Sequence, residues 1–318
     1  MVGTAAAGYQ QSMSSQPATV GSVRGLAAMA AAGLFVVLWS TGFIGAKLGL
    51  PYAEPLTFLA VRFAIAAGLL AMLALATAAP WPRGWHSIAH LCVAGLLLHA
   101  VYLGGVFASI GVGVEAGVSA LIVGIQPVLV AALAGMVLGE RVTAAQWFGL
   151  VLAVTGVTLV VWRKLTAGLG TAEGVGLSLL ALLGITAATL YQKRFCADMD
   201  LRSGSVIQYA AAALGCGAFA LAFEERSIAW SAEFVFALAW LVVVLSLGAV
   251  SLLYWLIQRG QASRVSSLFF LAPPVTALIA WPLFGETFGP LALAGMVLTV
   301  VGVALVNLSG ARQSSTPR

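Results

Sequence analysis

The residues of this 318-residue chain that could do chemistry are few, and most lie inside or at the ends of long apolar runs. Arg62 is the most costly. It sits about seven residues into an apolar run, roughly 10 Å along a helix at 1.5 Å per residue. An intramembrane charge is by default a candidate functional group. Arg62 could pair with Glu115, bind an anionic group of a solute, or snorkel outward. His99 and Tyr102, three apart, share one helix face. His99 is the only histidine well inside a run, so a proton role is conceivable. Trp39, Ser40 and Phe43 lie on one side of the first run, Gln126 precedes Pro127, and Tyr254 and Trp255 close a later run. Together these are the polar and aromatic groups available at depth to line an apolar-aromatic pocket. Packing, and interfacial anchoring for Tyr254 and Trp255, are the plain alternatives.

Several chemistries are excluded. No HExxH and no GxSxG occurs, so an enzyme reading has nothing to stand on. Cys92, Cys196 and Cys216 form no CxxC-type pair; no metal site and no cofactor is expected. The ten acidic residues all fall at run ends, in loops or in linkers. No buried carboxylate is available to trade protons for a cationic drug or to cage Na⁺. No Lys/Arg cluster is long enough for nucleic acid.

The elements that must position these groups follow from composition. The chain is 61% apolar and 8% charged, against about 45–50% and about 25% for a soluble domain. It is therefore an integral membrane protein, with the lipid bilayer as its solvent. A hydrocarbon core about 30 Å thick takes roughly 20 helical residues. Cutting at charges, prolines and glycines yields ten spans: 26–46, 55–78, 88–108, 115–138, 146–162, 174–192, 204–222, 234–256, 265–284 and 290–308.

The spans repeat. Gln126 to Glu140 reads QPVLVAALAGMVLGE, and Ala272 to Glu286 reads APPVTALIAWPLFGE. One offset of 146 carries Lys47 to Lys193, Pro127 to Pro273, Glu140 to Glu286, Gly149 to Gly295 and Gly156 to Gly302. Matches at one offset mark an internal duplication. The parts are a tail (1–25), a first repeat (26–163), a linker (164–173), a second repeat (174–308) and a C-terminal tail (309–318). With five helices each, the repeats must be inverted relative to one another. That is a recurrent transporter design, with substrate held near the midplane between the repeats.

Basic residues orient the chain. With the N-terminus inside, the inner segments hold Arg24, Arg83, Arg141, Lys193, Arg194, Arg202, Arg259, Arg264, Arg312 and Arg318. The outer segments hold Lys47, Arg163, Lys164 and Arg226. Both termini are expected to be cytoplasmic.

Pro127 and Pro273 would each remove a backbone hydrogen bond, freeing the carbonyls of Val123 and Phe269. They read as kinks or hinges beside a cavity. Gly139 and Gly285 suit a left-handed helix end, and Glu140 and Glu286 suit capping of the following helix. Lys47 and Lys193 end the first helix of each repeat, where positive charge is favoured. Gly149, Ala153 and Gly156, with Gly295 and Gly302, suit close helix packing.

The motifs LWSTGFIGAKLG, PLTFLAVRFAIAA and QPVLVAALAGMVLGERVTAAQWFGLVLAVTGV, answered by LYQKRF and LAPPVTALIAWPLFGETFGPLALAGMVLTVVGV, cover roughly residues 30 to 308. With them the chain resembles the drug/metabolite transporter superfamily, specifically its ten-helix EamA-type exporters. The resemblance implies an all-α polytopic fold of two inverted five-helix repeats around a central cavity. It implies lining by Trp39, Phe43, His99, Tyr102, Gln126, Tyr191, Tyr254 and Trp255. The sixth helix departs from the first in carrying Ile185 at the place matching Trp39. The expected function is export of amino acids or related small metabolites across the inner membrane by alternating access, with the chain a monomer or weak homodimer. Multidrug export, organic-phosphate or nucleotide-sugar antiport, and a receptor or scaffold that moves nothing stay open as alternatives. The phosphate version wants paired basic groups at depth, where only Arg62 qualifies.

Overall fold

The computed structural model describes residues 19–114, 116–166, 170–284 and 289–314. Glu115 and Glu286, and the side chains of Phe43 and Lys47, lie outside the described residues. The architecture is all helical. The first repeat contributes α1 (Thr19–Gly49), α2 (Pro55–Ala76), α3 (Trp85–Gly111), α4 (116–138) and α5 (Ala144–Thr166). The second contributes α6 (Ala172–Phe195), α7 (Leu201–Phe223), α8 (Ala232–Arg259), α9 (262–284) and α10 (Pro290–Ser314). These are the ten expected spans. Several run on past the expected edges: α1 starts at Thr19, α5 reaches Thr166 and α10 reaches Ser314. Backbone hydrogen bonding does not stop at the hydrocarbon boundary, whereas a cut at charges does.

The duplication is visible in irregularities that composition does not show. Within α3, Leu96–Leu103 is π-helical; within α8, Leu241–Ala249 is. The 146-residue offset superimposes them almost residue for residue. The fourth helix of each repeat is also interrupted at matching places. The first helical piece of α4 (Ala116–Val123) stops, Gly124 and Ile125 form a turn, and Gln126–Leu138 begins again. In α9, Ala262–Ser267 passes through a 3₁₀ turn at Leu268–Leu271 before Ala272–Phe284. Each proline thus opens a new helical piece, where a missing N–H costs little. This differs from the expected kink in a continuous helix: the chain breaks ahead of Pro127 rather than bending at it.

Inversion is written into one contact. The α5 and α10 helices pack with Gly149 against Gly302 and Gly156 against Gly295. Since the offset pairs Gly149 with Gly295 and Gly156 with Gly302, this contact is self-complementary, as across a two-fold axis. A Cβ on Gly156 would come within 2.5 Å of the Thr299 backbone nitrogen, and one on Gly302 within 2.6 Å of that of Ala153. Only glycine lets the backbones approach so closely.

One end of the bundle is laced across the repeat interface. Gly139 takes the left-handed conformation, φ 68° and ψ 14°, and ends α4 as its type suggests. The Gly139 N–H donates to the Gly135 carbonyl at 3.2 Å, the bond of an αL stop, and the Glu140 N–H donates to the Ala134 carbonyl at 3.2 Å. The Glu140 carboxylate caps α9, not the following helix: it accepts from the N–H groups of Ala262 at 2.8 Å and Ser263 at 3.4 Å, and from the Ser263 hydroxyl at 3.2 Å. Lys193 lies close by. From the last turn of α6, as its place in the repeat suggests, its ammonium donates to the last carbonyls of α8, Ile257 at 2.8 Å and Gln258 at 3.4 Å. Arg194 donates to the Val137 carbonyl. The target of Glu140 differs from the expected one because orphan groups at a helix end are satisfied by whatever lies nearest in space.

Candidate functional site

The site begins with the helix break. Ending α4 at Val123 and restarting it at Gln126 turns Gln126 inward, where it is 1% exposed. Residues related by the 146 offset meet here: Trp39 with Ile185, Val123 with Phe269, and Gln126 with Ala272. They bound a small cavity, joined by Tyr102, Val106 and Pro273. The cavity therefore straddles the pseudo-two-fold between the repeats. Its chemistry is not two-fold. The hydrogen-bonding members Trp39, Tyr102 and Gln126 all come from the first repeat, while their counterparts Ile185, Gly248 and Ala272 offer no side-chain donor or acceptor.

Aromatic edges form one wall. The rings of Phe35, Trp39 and Phe269 pack mutually, with centroids 5.1–5.3 Å apart and Trp39 edge-on to Phe269 at 87°. Edge-to-face contacts of this kind stiffen a wall beyond the area they bury.

A second polar set lies behind the cavity. Here His99 Nε2 is 3.1 Å from the Tyr254 hydroxyl, Tyr254 donates to Gln208 Oε1, and Gln208 Nε2 donates to Gln192 Oε1 at 2.9 Å. The His99 ring stacks on Tyr209 with centroids 4.3 Å apart, and Tyr209 donates to the Ser246 carbonyl at 2.8 Å. Arg62 joins through Ser246, donating from Nε to Oγ at 3.1 Å. At 3% exposure it has no carboxylate within salt-bridge distance among the described residues, and it lies close to Tyr102 and Tyr209. The π-helical segments help to build this set. Both His99 and Tyr102 lie in the one in α3, and Ser246 lies in its counterpart in α8. The wider turn shifts the register of the side chains, and such segments are frequent at functional sites.

The residues singled out in the sequence separate into groups. Trp39, Tyr102, Gln126 and Pro273 line the cavity, and Pro127 is buried beside Gln126. His99 and Tyr254 belong to the polar set behind it, Tyr254 facing a narrow seam between α3, α6 and α8. Ser40 is fully buried, its hydroxyl donating to the Val36 carbonyl at 2.7 Å with the Ala272 carbonyl 3.3 Å away, and the Thr276 hydroxyl donates to the Ser40 carbonyl at 3.2 Å, tying α1 to α9. Tyr191 points away from the cavity, 2.6 Å from His90 Nδ1 and packed on Phe195. Trp255 lies under the Arg259 guanidinium at 4.3 Å, near the end of α8.

Several participants escape a reading of the sequence. Thr189 and Ser266 hold the Gln126 amide, each at 3.2 Å. Phe269 completes the aromatic wall, and Gln208 sits at the centre of the polar set. Only Gln208 carried a signal, as the counterpart of Arg62 at the repeat offset. Single hydroxyls in apolar helices have no distinguishing pattern.

Comparisons with known proteins agree with this architecture. The family described as the EamA-like transporter family matches residues 26–162 and again 172–308. The "Probable terminal-alkyne amino-acid exporter" of Streptantibioticus cattleyicolor is 29% identical over 303 residues, covering 89% of this chain and 95% of that one. The "Uncharacterized transporter YvbV" of Bacillus subtilis is 28% identical, covering 88% and 91%. The "Probable amino-acid metabolite efflux pump" of Salmonella typhimurium is 24% identical, covering 90% and 96%. A solved crystal structure, 19% identical, superposes with a TM-score of 0.76 over 91% of this chain and 99% of its own.

Proposed function

The chain belongs to the EamA-like transporter family and is a multi-pass membrane transporter, not an enzyme; from that premise we propose that it exports amino acids or related small metabolites by alternating access. The observation that carries the proposal is the cavity bounded by the repeat-related pairs Trp39/Ile185, Val123/Phe269 and Gln126/Ala272. A cavity on the axis relating two inverted repeats is where rocking of one repeat against the other exchanges its opening between the two sides. The names of the exporter and efflux-pump relatives support the direction and the solute class.

In this reading Trp39, Tyr102 and Gln126 contact the solute. The irregular turns ahead of Pro127 and Pro273 are the hinges, since the regular α-helical hydrogen-bond ladder gives way there to a turn in α4 and to a 3₁₀ turn in α9. The basic-residue count supports cytoplasmic termini in the plasma membrane, which puts the Glu140–Lys193 lacing at the cytoplasmic end of the bundle. The test is counterflow in proteoliposomes holding the purified chain, with a labelled amino-acid panel. Accelerated exchange of at least one amino acid supports the proposal. Protein that is folded, stable and inert toward the whole panel sinks it.

A further inference from the structure

Gln126 carries an unsatisfied group whose identity can be deduced. Its amide reaches two hydroxyls, Thr189 Oγ1 and Ser266 Oγ, each at 3.2 Å. Nitrogen and oxygen of an amide look alike, so the orientation must come from the partners. The Thr189 hydroxyl spends its only proton on the Ile185 carbonyl at 2.9 Å, which leaves it able only to accept. The Gln126 amide nitrogen must therefore face Thr189, and the carbonyl oxygen faces away from it. That oxygen is buried and has no hydrogen-bond partner among the described residues. A buried acceptor without a donor is rare in a folded protein and calls for an explanation, an unseen ligand among them. Here it belongs to a residue on the cavity wall, next to the rings of Trp39, Tyr102 and Phe269.

We propose that the Gln126 carbonyl is the recognition point for a protonated amine of the transported solute. The inference rests on the exporter reading and names the group by which that site selects its solute. An ammonium satisfies the orphan acceptor with one N–H, and aromatic faces stabilise a cation where no carboxylate does. Arg62, near Tyr102, repels the ammonium and attracts an anionic end. The solute class that fits is an amphipathic amine with its positive end at Gln126, an α-amino acid included.

The experiment uses the full-length chain in proteoliposomes and three probes that share one side chain: L-leucine, 3-methylbutylamine (no carboxyl) and 4-methylpentanoate (no amine). Binding is read by thermal shift and by competition against labelled leucine. In the wild type, leucine and the amine are expected to bind at least about tenfold better than the des-amino acid, the scale on which a site built for a polar group rejects a ligand lacking it. Gln126→Leu is expected to shrink that ratio to within about threefold. Gln126→Glu, nearly isosteric, keeps the shape and is expected to tighten amine binding, so the proposal stays testable if the leucine variant misfolds. A des-amino acid that competes as well as leucine in the wild type overturns the inference, as does a Gln126→Leu variant that weakens all three probes alike. Leucine exchange without amine discrimination leaves the exporter reading standing and this inference dead. Amine binding that depends on Gln126, with no amino acid moved, does the reverse. No binding of any probe removes both.

Discussion

The Glu140 carboxylate lies 2.8 Å from the backbone nitrogen of Ala262, so the end of α4 in one repeat holds the start of α9 in the other. With the Ser263 N–H and hydroxyl on the same carboxylate, this side chain satisfies three donors that the helix start would otherwise leave open.

Removing that cap has a predictable cost. Glu140→Ala is expected to lower the stability of the purified protein by about 1–2 kcal/mol, the upper part of the range for a lost helix cap. Glu140→Gln retains an acceptor oxygen and loses less. Thermal unfolding in detergent ranks the three proteins; an alanine variant as stable as the wild type contradicts the capping role.

The crossing of α5 with α10 is a second test. In Gly156→Ala the new methyl meets the Thr299 nitrogen and the Gly295 carbonyl, neither of which can rotate away. The helices must separate, at a cost of about 1–3 kcal/mol typical of overpacking. Gly68→Ala on α2 is the control, because nothing among the described residues lies within 4 Å of its Cβ position. It should be neutral or slightly stabilising, alanine being the better helix former.

Arg62 separates a structural from a functional cation. It is buried with a single hydrogen bond, to Ser246, and no acidic partner among the described residues. Replacing a poorly compensated buried charge by an apolar side chain of similar length is often neutral or stabilising. Arg62→Met is therefore expected to keep or raise the unfolding temperature, while lowering leucine exchange about tenfold or more through loss of the carboxylate's partner. Lower stability with unchanged exchange per folded molecule assigns Arg62 to the scaffold instead.

Acid sensitivity has a local component at the start of α7. Asp200 caps that helix, accepting from the N–H groups of Arg202 at 2.9 Å and Ser203 at 3.2 Å, and pairs with the Arg202 guanidinium at 2.8 Å. The Arg202 hydrogen bond is the main cause holding its carboxyl below the usual value of 3.8. Because the folded value is the lower one, the stabilisation is fully present above the unfolded value and is lost as the pH falls through the folded one. Asp200→Asn keeps a good cap and removes the charge. It should flatten the dependence of unfolding temperature on pH below about 4, while changing stability at pH 7 by less than about 1 kcal/mol.

The ten spans, the duplication and its inversion were all legible from residue order. Their causes are local or arithmetical: apolar runs of bilayer length, one offset of 146, and five helices per repeat. Gly139 was legible too, since a left-handed helix end favours its type. What needed the tertiary structure was which groups meet. Trp39, Tyr102 and Gln126 fall on one cavity, while His99 and Tyr254 fall behind it and Tyr191 and Trp255 on other faces. The rotation of a helix that is apolar all round is set by its neighbours and leaves no period in its own sequence. The π-helical turns in α3 and α8 and the break ahead of Pro127 then re-aim side chains in ways that spacing alone does not encode. The targets of Glu140 and Lys193 lie 122 and 64 residues away. The direction of the Gln126 amide depends on a proton that Thr189 has already given to Ile185. Each of these is a relation between distant residues, so only packing could decide it.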